Sequence, residues 1–331
     1  MTVSVIIPYY NAAKTLKNTV ESVMSQRMMP LEIILVDNKS SDESPMIAKE
    51  LSTQYPIIRL VHEERKGANY ARNKGMRVAQ GNWLQFLDAD DELLPDKLLH
   101  QINLIQSKMK PSDMIVGEAY IRIVNPHGMI HQFVKPVPQD LIQGLILGTA
   151  GSTCSNLWKR EFLNGIAGWD EDHVYLNDPF LVLKCVRHGA VIITDNIPLT
   201  VIHQDYREAS YSRPMTSDHL TALMDDVHSY YVELTDYIQK QESSNSDYLK
   251  LLRQRQFLTY CNFKLQYSED FPETIRHSKI RNKLNFHFIS GAKSYYYFLI
   301  SYKVKSTGML KYPSLLWNSV IHIRKFFSLF S

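Results

Sequence analysis

Short apolar runs and amphipathic helix patterns alternate along about the first hundred residues, and this alternation limits the fold more than any other feature of the sequence. The apolar runs occupy residues 3–7, 32–36, 57–61 and 83–87, and the first of them is rich in β-branched residues, as buried strands are. Helix patterns follow each run, and we expect helices from Asn11, as the N-cap, to residue 24 and over residues 43–54, 69–79 and 95–108. Such a chain forms an open, mostly parallel sheet with helices on both faces.

The second half of the chain follows a different plan. Strand patterns at residues 114–124, 152–158, 191–194 and 199–203 mix with short helices, and long helical patterns cover residues 216–241 and 246–266. We therefore predict an α/β domain over residues 1–213, divided at about residue 110, then a helical extension over residues 214–273 and a helical tail over residues 274–331.

Composition indicates a folded protein of a reducing compartment. The chain has 331 residues, of which 44% are hydrophobic and 21% charged, and this excludes a disordered or low-complexity protein. Its 3 cysteines are far apart and fit neither a disulfide framework nor a Cys-x-x-Cys metal site. There is no apolar run of about 18 residues that would predict a membrane span, and the start lacks the pattern of a signal peptide. A cytoplasmic protein is expected.

The charges are distributed unevenly along the chain. No acidic residue follows Glu273, whereas 10 Lys or Arg lie between Arg276 and Lys325, so the first 273 residues carry a net charge of −7. Residues 274–331 are also rich in aromatic side chains, which suits a helix on an anionic membrane surface and a peripheral position on its inner face. The alternative is a helical subdomain packed on the acidic body. Nucleic acid is not expected as a partner, because no recognised binding module accompanies the charge.

Three carboxylates, Asp88, Asp90 and Asp91, follow the fourth predicted strand. Like charges this close repel one another unless a cation lies between them, and Mg²⁺ or Mn²⁺ with oxygen ligands is the natural partner. The alternative is an acidic turn that caps the next helix. Because ligands bind beyond the carboxyl ends of parallel strands, these residues and the polar residues that end the first two strands should line one crevice.

A basic segment precedes that strand. Gly67 permits close backbone approach, and Arg72 lies where it could bind a phosphate bidentately, although a solvated basic helix face would look the same.

Four segments together, residues 3–11, 36–42, 67–75 and 86–91, resemble family 2 glycosyltransferases in motif, order and spacing. The resemblance implies a GT-A fold, a nucleotide-sugar donor and a divalent metal that bridges the donor diphosphate. It places Asp88, Asp90 and a later His203 at the metal or diphosphate, with a structural role as the alternative for the histidine. The donor-binding residues that it implies are Pro8, Tyr10, Asn11, Asp37, Asn38, Gly67, Arg72, Asp88 and Ala89.

One departure concerns the donor base. Many members of the family carry Asp where this chain has Asn38, and an amide is not the acceptor-only group that pairs with a uracil imide. A thymidine or guanosine donor therefore stays open beside uridine.

A second resemblance points to the base of the reaction. The segments 168–171 and 176–181 resemble the family's region in which an acidic pair opens a helix, and the second acid is the usual base. That position is Asp178 here, with Asn177 in place of the first acid; the alternative role for Asp178 is an N-cap. Trp169 is either a platform for a sugar ring or a core residue. Residues 207–213 are expected in a loop that closes over the donor.

The sequence thus predicts an inverting, hexosyltransferase-like enzyme. It would move a sugar from a nucleoside-diphosphate sugar to a hydroxyl of a glycan or lipid-linked acceptor, as in cell-surface polysaccharide synthesis. The alternative is a non-catalytic GT-A-like module that binds a nucleotide or a partner.

Overall fold

The computed structural model describes residues 1–124, 128–205, 217–241 and 246–266. Its strands are β1 (Val3–Tyr9), β2 (Glu32–Asp37), β3 (Ile58–His62), β4 (Trp83–Phe86), β5 (Glu92–Leu93), β6 (Met114–Gly117), β7 (Ala119–Val124), β8 (Ile130–Lys135), β9 (Leu157–Lys159), β10 (Ile192–Asp195) and β11 (Thr200–Asp205). Its helices are α1 (Leu16–Met24), α2 (Ser44–Gln54), α3 (Ala68–Val78), α4 (Lys97–Gln106), α5 (Leu141–Leu147), α6 (Arg160–Gly165), α7 (Asn177–Arg187), α8 (Ser217–Gln239) and α9 (Ser246–Gln266).

Seven of these strands form one sheet, in the order β10-β6-β9-β4-β1-β2-β3. All neighbours pair in parallel except β9, which is antiparallel to both β4 and β6. A second sheet has the order β5-β11-β7-β8, and in it only β11 and β7 are parallel among the described strands. The predicted α/β architecture with a mostly parallel sheet is confirmed.

Strand β1 is an interior strand of the large sheet, and both of its faces are buried. Val3, Val5 and Ile7 pack into a core cluster that includes side chains of α1 and α2. Ile6 faces the other side, where a Cβ on Gly75 of α3 would collide with its side chain. Helices therefore cover both faces of the sheet, and the absence of a side chain at position 75 lets α3 lie directly against it.

Four local predictions were wrong. Asn11 does not cap α1, because it has a left-handed φ of 50° and the helix begins only at Leu16. Residues 114–124 are not one strand: the chain passes from the large sheet to the small one at Glu118, which separates β6 from β7. Most of residues 152–158 form a turn before β9, and α4 begins two residues after Pro95. The predicted long helices agree with α8 and α9 to within two residues.

The chain divides into two compact units, Met1–Arg255 and Gln256–Ser331. Of the second unit the structure describes residues 256–266, which are helical. The basic tail predicted at residues 274–331 and the loop predicted at residues 207–213 lie outside the described residues. Within the part of the chain that is described, no helix combines the length and apolar character of a membrane span.

Candidate active site

The carboxyl ends of β1, β2 and β4 lie at the same edge of the large sheet. Tyr9 pairs with Asp37 in the register of β1 and β2, and the N–H of Asn38 donates to the Tyr9 carbonyl at 2.9 Å. On the other side of β1, the N–H of Leu87 donates to the Ile6 carbonyl at 2.9 Å. The loops that follow these three strands therefore meet at one edge, as the strand pattern predicted.

The loop after β1 is tied to the loop after β2. Pro8 is buried in β1, opposite Val36, and does not reach the surface of this edge. Tyr10 is exposed, and the ammonium of Lys66 lies 4.7 Å from the centre of its ring. The Asn11 side-chain oxygen accepts a hydrogen bond from the N–H of Ser41 at 2.8 Å, which explains why Asn11 does not cap a helix.

Asn38 holds the segment that precedes α3. Its side chain is 5% exposed; the amide nitrogen donates to the carbonyl of Arg65 at 2.7 Å, and the amide oxygen accepts from the N–H of Gly67 at 2.7 Å. An aspartate could not donate to that carbonyl, which gives the departure from the family pattern a structural reason. Asp37 accepts from the N–H of Ser40 at 3.0 Å and lies 3.1 Å from Nδ1 of His62.

Gly67 is the residue at which this segment turns into α3. Its φ of 145° lies in the region that favours glycine, and a Cβ there would lie 3.0 Å from the ring of Tyr70.

Arg72 is buried, with 6% of its surface exposed, so the alternative of a solvated helix face is wrong. Its guanidinium donates to Asp88 at 2.8 Å and to the side-chain oxygen of Asn69 at 3.2 Å, and lies 4.7 Å from the ring centre of Trp169. Burial lowers the pKa of Arg72, but the charges of Asp88 and Asp178 outweigh it and raise the pKa above its usual value. The arginine therefore stays charged, in contact with Asp88 and within electrostatic range of Asp178.

The acidic segment after β4 has one buried member. Asp91 is 3% exposed and accepts from the N–H of His203 at 3.0 Å and from the thiol of Cys154 at 3.0 Å. Burial and the charges of Asp88 and Asp90 raise its pKa well above the usual range. Oxygens of Asp88 and Asp91 and the Cys154 sulfur all lie within 4.8 Å of one another. The structure thus brings Asp91 together with Asp88, whereas Asp90 is exposed and Ala89 is buried.

The cluster of Asp88, Asp91 and Cys154 suits a hard divalent cation, because its two carboxylates offer oxygen ligands. Burial, with the charges of Asp88 and Asp91, raises the pKa of the Cys154 thiol well above its usual value, so the sulfur is held as a neutral donor. A cation bound to the carboxylate oxygens would relieve the repulsion that raises the pKa of Asp91. His203 reaches the cluster through its backbone, and its ring nitrogen Nε2 lies 3.1 Å from a carboxylate oxygen of Glu92.

Asp178 lies in the first turn of α7, one residue inside the helix, so the N-cap alternative is wrong. Its Oδ2 accepts from the N–H of Thr153 at 2.8 Å, and its Oδ1 accepts from the Thr153 hydroxyl. Asn177, the neighbour that replaces the family's acid, accepts from the side-chain nitrogen of Asn69 at 2.9 Å. Asn69 therefore connects the start of α7 to Arg72.

Trp169 belongs to the core, so of the two roles left open by the sequence the core residue is correct and the sugar platform is wrong. It is 2% exposed and lies edge-on to Phe86 and Trp158, with ring centres 5.6 Å and 6.3 Å away.

Asp226 of α8 fixes the loop that precedes α7. Its carboxylate accepts from the N–H groups of Val174 at 3.0 Å and Tyr175 at 2.7 Å and lies 3.0 Å from Nδ1 of His173. Burial lowers the pKa of His173, but the hydrogen bond and charge of Asp226, with the charges of Asp170 and Glu233, outweigh it and raise the pKa above 6.5.

A prediction for stability follows, because the folded state favours the protonated histidine. This contribution is fully present below about pH 6.5 and is lost as the pH rises through the raised folded value. We expect Asp226→Asn to destabilise the protein more at pH 6 than at pH 9, by about 1 kcal/mol in the difference, in urea unfolding at the two pH values. His188→Gln, at an exposed histidine, is the control. An equal loss at both pH values would contradict the assignment.

Comparison with known proteins gives a family match over residues 4–156 and the fold. The sequence profile of glycosyl transferase family 2 matches residues 4–156. The uncharacterized glycosyltransferase YibD of Escherichia coli K12 is 46% identical over 92 residues, which are 28% of this chain and 27% of that protein. The E. coli UDP-Glc:alpha-D-GlcNAc-diphosphoundecaprenol beta-1,3-glucosyltransferase WfgD is 32% identical over 152 residues. These residues are 46% of this chain and 57% of WfgD. The chain thus spans less than two thirds of either relative.

Two solved structures have the same fold. Staphylococcus aureus TarS 1–349, in complex with UDP-GlcNAc, has a TM-score of 0.61 at 18% identity, over 93% of this chain and 92% of that one. The Pyrobaculum calidifontis mannosyltransferase PcManGT, in complex with GDP-Man and Mn²⁺, has a TM-score of 0.53 at 18% identity, over 92% and 86% of the two chains. The α/β fold is the GT-A fold that the sequence predicted.

Proposed function

We propose that this chain, whose residues 4–156 match the model of glycosyl transferase family 2, is an inverting, metal-dependent glycosyltransferase of that family. It transfers a hexose from a nucleoside-diphosphate sugar to a hydroxyl of a glycan or lipid-linked acceptor, in cell-surface polysaccharide synthesis. The observation that carries the proposal is the buried guanidinium of Arg72. It donates to Asp88, and the charge of Asp178 raises its pKa. Arg72, a group suited to the donor phosphates, is thus within electrostatic range of Asp178, a group suited to proton transfer.

The donor lies across the carboxyl ends of β1, β2 and β4 in this proposal. Tyr10 and Asn11 after β1 and Asp37 after β2 line the nucleotide, and Asn38 acts by shaping the segment up to Gly67. The exposed ring of Tyr10 offers an apolar face to a base, and Lys66 beside it supplies a positive charge. Arg72 supports the diphosphate through Asp88, which it orients. A uridine, thymidine or guanosine base is compatible with these groups.

Asp88 and Asp91, with Asp90 and His203 nearby, are the residues that would hold Mn²⁺ or Mg²⁺. When bound, such a cation neutralises charge on the departing nucleoside diphosphate. The Mn²⁺ in the PcManGT complex supports the choice of a hard divalent ion.

Asp178 is the proposed base. It takes the proton of the acceptor hydroxyl as that oxygen bonds to the anomeric carbon, while the bond from this carbon to the diphosphate oxygen breaks. Attack from the face opposite the leaving group inverts the configuration. Among the residues that the structure describes, Thr153 occupies one lone pair on each Asp178 oxygen and leaves the others for the acceptor hydroxyl.

The acceptor is proposed by analogy with relatives. The name of WfgD gives a diphosphoundecaprenol-linked sugar as its acceptor, which supports a lipid-linked acceptor here. A basic tail at residues 274–331 on an anionic membrane would bring the enzyme to such a substrate. In this proposal, residues 1–213 form the catalytic domain and residues 214–273 a helical extension.

A donor panel tests the proposal directly. We expect the purified chain with Mn²⁺ to hydrolyse slowly one of UDP-glucose, UDP-N-acetylglucosamine, dTDP-glucose and GDP-mannose, because water replaces the acceptor. EDTA should abolish the hydrolysis and added Mn²⁺ should restore it, measured as released nucleoside diphosphate. Glu161→Gln, at a side chain that is 89% exposed, is the matched acidic control and should behave as the unchanged chain. Donor binding without turnover, under every acceptor tried, would instead favour the non-catalytic module.

A further inference from the structure

We infer that Thr153 is the positioning residue that fixes the orientation of the Asp178 carboxylate, an inference that rests on the proposed function. Thr153 is 2% exposed and presents two donors to Asp178: its N–H lies 2.8 Å from Oδ2, and its hydroxyl donates to Oδ1. Two donors from one residue on the two oxygens of one carboxylate fix the plane of that group. A base fixed in this way keeps one geometry toward the acceptor hydroxyl.

The 151–156 turn, which carries Thr153, is built to be rigid. Gly151 has a left-handed φ of 76°, and a Cβ there would collide with the side-chain oxygen of Asn156. The Ser152 carbonyl accepts from the N–H groups of Ser155 at 3.1 Å and Asn156 at 3.0 Å. Asn156 in turn accepts from the N–H of Gly117 at 3.1 Å, which anchors the turn to the end of β6.

Strand β8 of the small sheet supplies another anchor. The ammonium of Lys135 donates to the Gly151 carbonyl at 2.9 Å. Burial lowers the pKa of Lys135, and the charge of Asp178 acts in the opposite direction. Asp178 therefore lies within electrostatic range of two cations on different elements, Lys135 of β8 and Arg72 of α3, while Thr153 is the residue that hydrogen-bonds both of its oxygens.

The residue after Thr153 belongs to the acidic cluster. The Cys154 thiol donates to Asp91 at 3.0 Å and accepts from the N–H of Asp88 at 3.3 Å. Thr153 thus holds the proposed base, Asp178, while the next residue, Cys154, contacts Asp88 and Asp91 of the proposed metal site. Consecutive Cα atoms are about 3.8 Å apart, so a single peptide unit connects the residue that holds Asp178 to the residue that contacts Asp88 and Asp91.

Thr153→Val tests the inference, because valine matches threonine in shape and keeps the backbone N–H but has no hydroxyl. With the donor panel and Mn²⁺ as above, we expect kcat for hydrolysis to fall about 10- to 100-fold, while KM and the Kd of the donor by calorimetry change less than about twofold. Thr153→Ser, which restores the hydroxyl, should recover most of kcat. Thr19→Val, at an equally buried threonine of α1, is the control for loss of a threonine hydroxyl in the core.

The outcomes separate this inference from the proposed function. If Asp178→Asn abolishes hydrolysis but Thr153→Val keeps the kcat of the unchanged chain, the inference is wrong and the proposed base stands. If Asp178→Asn itself hydrolyses at the original rate, the proposed base is wrong. A fall in kcat that Thr153→Ser does not recover indicates a purely structural role and also overturns the inference. Should the valine variant not fold, Thr153→Ala against Thr153→Ser makes the same comparison.

Discussion

Asp178→Asn is expected to lower the rate of sugar transfer by about 10²- to 10⁴-fold, the range that a general base contributes, and to leave the Kd of the donor within about twofold. Asparagine has nearly the same size but cannot take the proton of the acceptor hydroxyl. The change can keep both contacts with Thr153, because the amide oxygen accepts from the Thr153 N–H and the amide nitrogen can donate to the Thr153 hydroxyl oxygen. Initial rates of nucleoside diphosphate release and calorimetry of donor binding measure the two effects separately.

The control for this prediction lies on the same segment. Asp172 is an exposed acid six residues before Asp178, so Asp172→Asn removes an exposed carboxylate from the same segment and should leave the rate unchanged. A rate for Asp178→Asn within about threefold of the unchanged chain would exclude it as the base, since a base contributes far more. Comparing the melting temperatures of the variants separates loss of fold from loss of chemistry.

The sequence predicts the donor side of the cleft well because its signals are local. The ends of β1, β2 and β4 are read from short apolar runs and the polar residues after them, and parallel pairing then brings them to one edge. The role of Asn38 could not be predicted from its neighbours in the sequence. Its partners, the Arg65 carbonyl and the Gly67 N–H, lie in a loop nearly thirty residues further along the chain.

The base side of the cleft could not be predicted in the same way. Thr153 and Asp178 are separated by 25 residues, and Cys154 and Asp91 by 63, so no periodicity connects them. The region that holds Thr153 looked like a strand because residues such as Thr and Cys tolerate β structure, yet Gly151 in a left-handed conformation turns the chain there. A glycine followed by five small or amide side chains is the signal that would have favoured a turn.

Arg72 lies between these two sides, so its replacement has the second large expected effect. Arg72→Lys keeps the positive charge, but an ammonium lacks the planar fork that reaches both Asp88 and Asn69. Asn69 also holds Asn177 at the start of α7, so the loss reaches the helix that carries the proposed base. We expect kcat/KM for the donor to fall about 100-fold, as loss of a buried charge-assisted hydrogen bond implies, with part of the loss in the Kd of the donor.

Arg77→Lys is the matched control for the arginine, because Arg77 lies on the same helix with a side chain that is 48% exposed. It should leave kcat/KM within about twofold, since exposed ion pairs contribute little. The comparison also distinguishes charge from geometry: if charge alone at position 72 supports the donor phosphates, Arg72→Lys will keep the original Kd. That result would remove the buried guanidinium as the connection between donor and base, and the proposed arrangement would then rest on Asp88 and Asp178 alone.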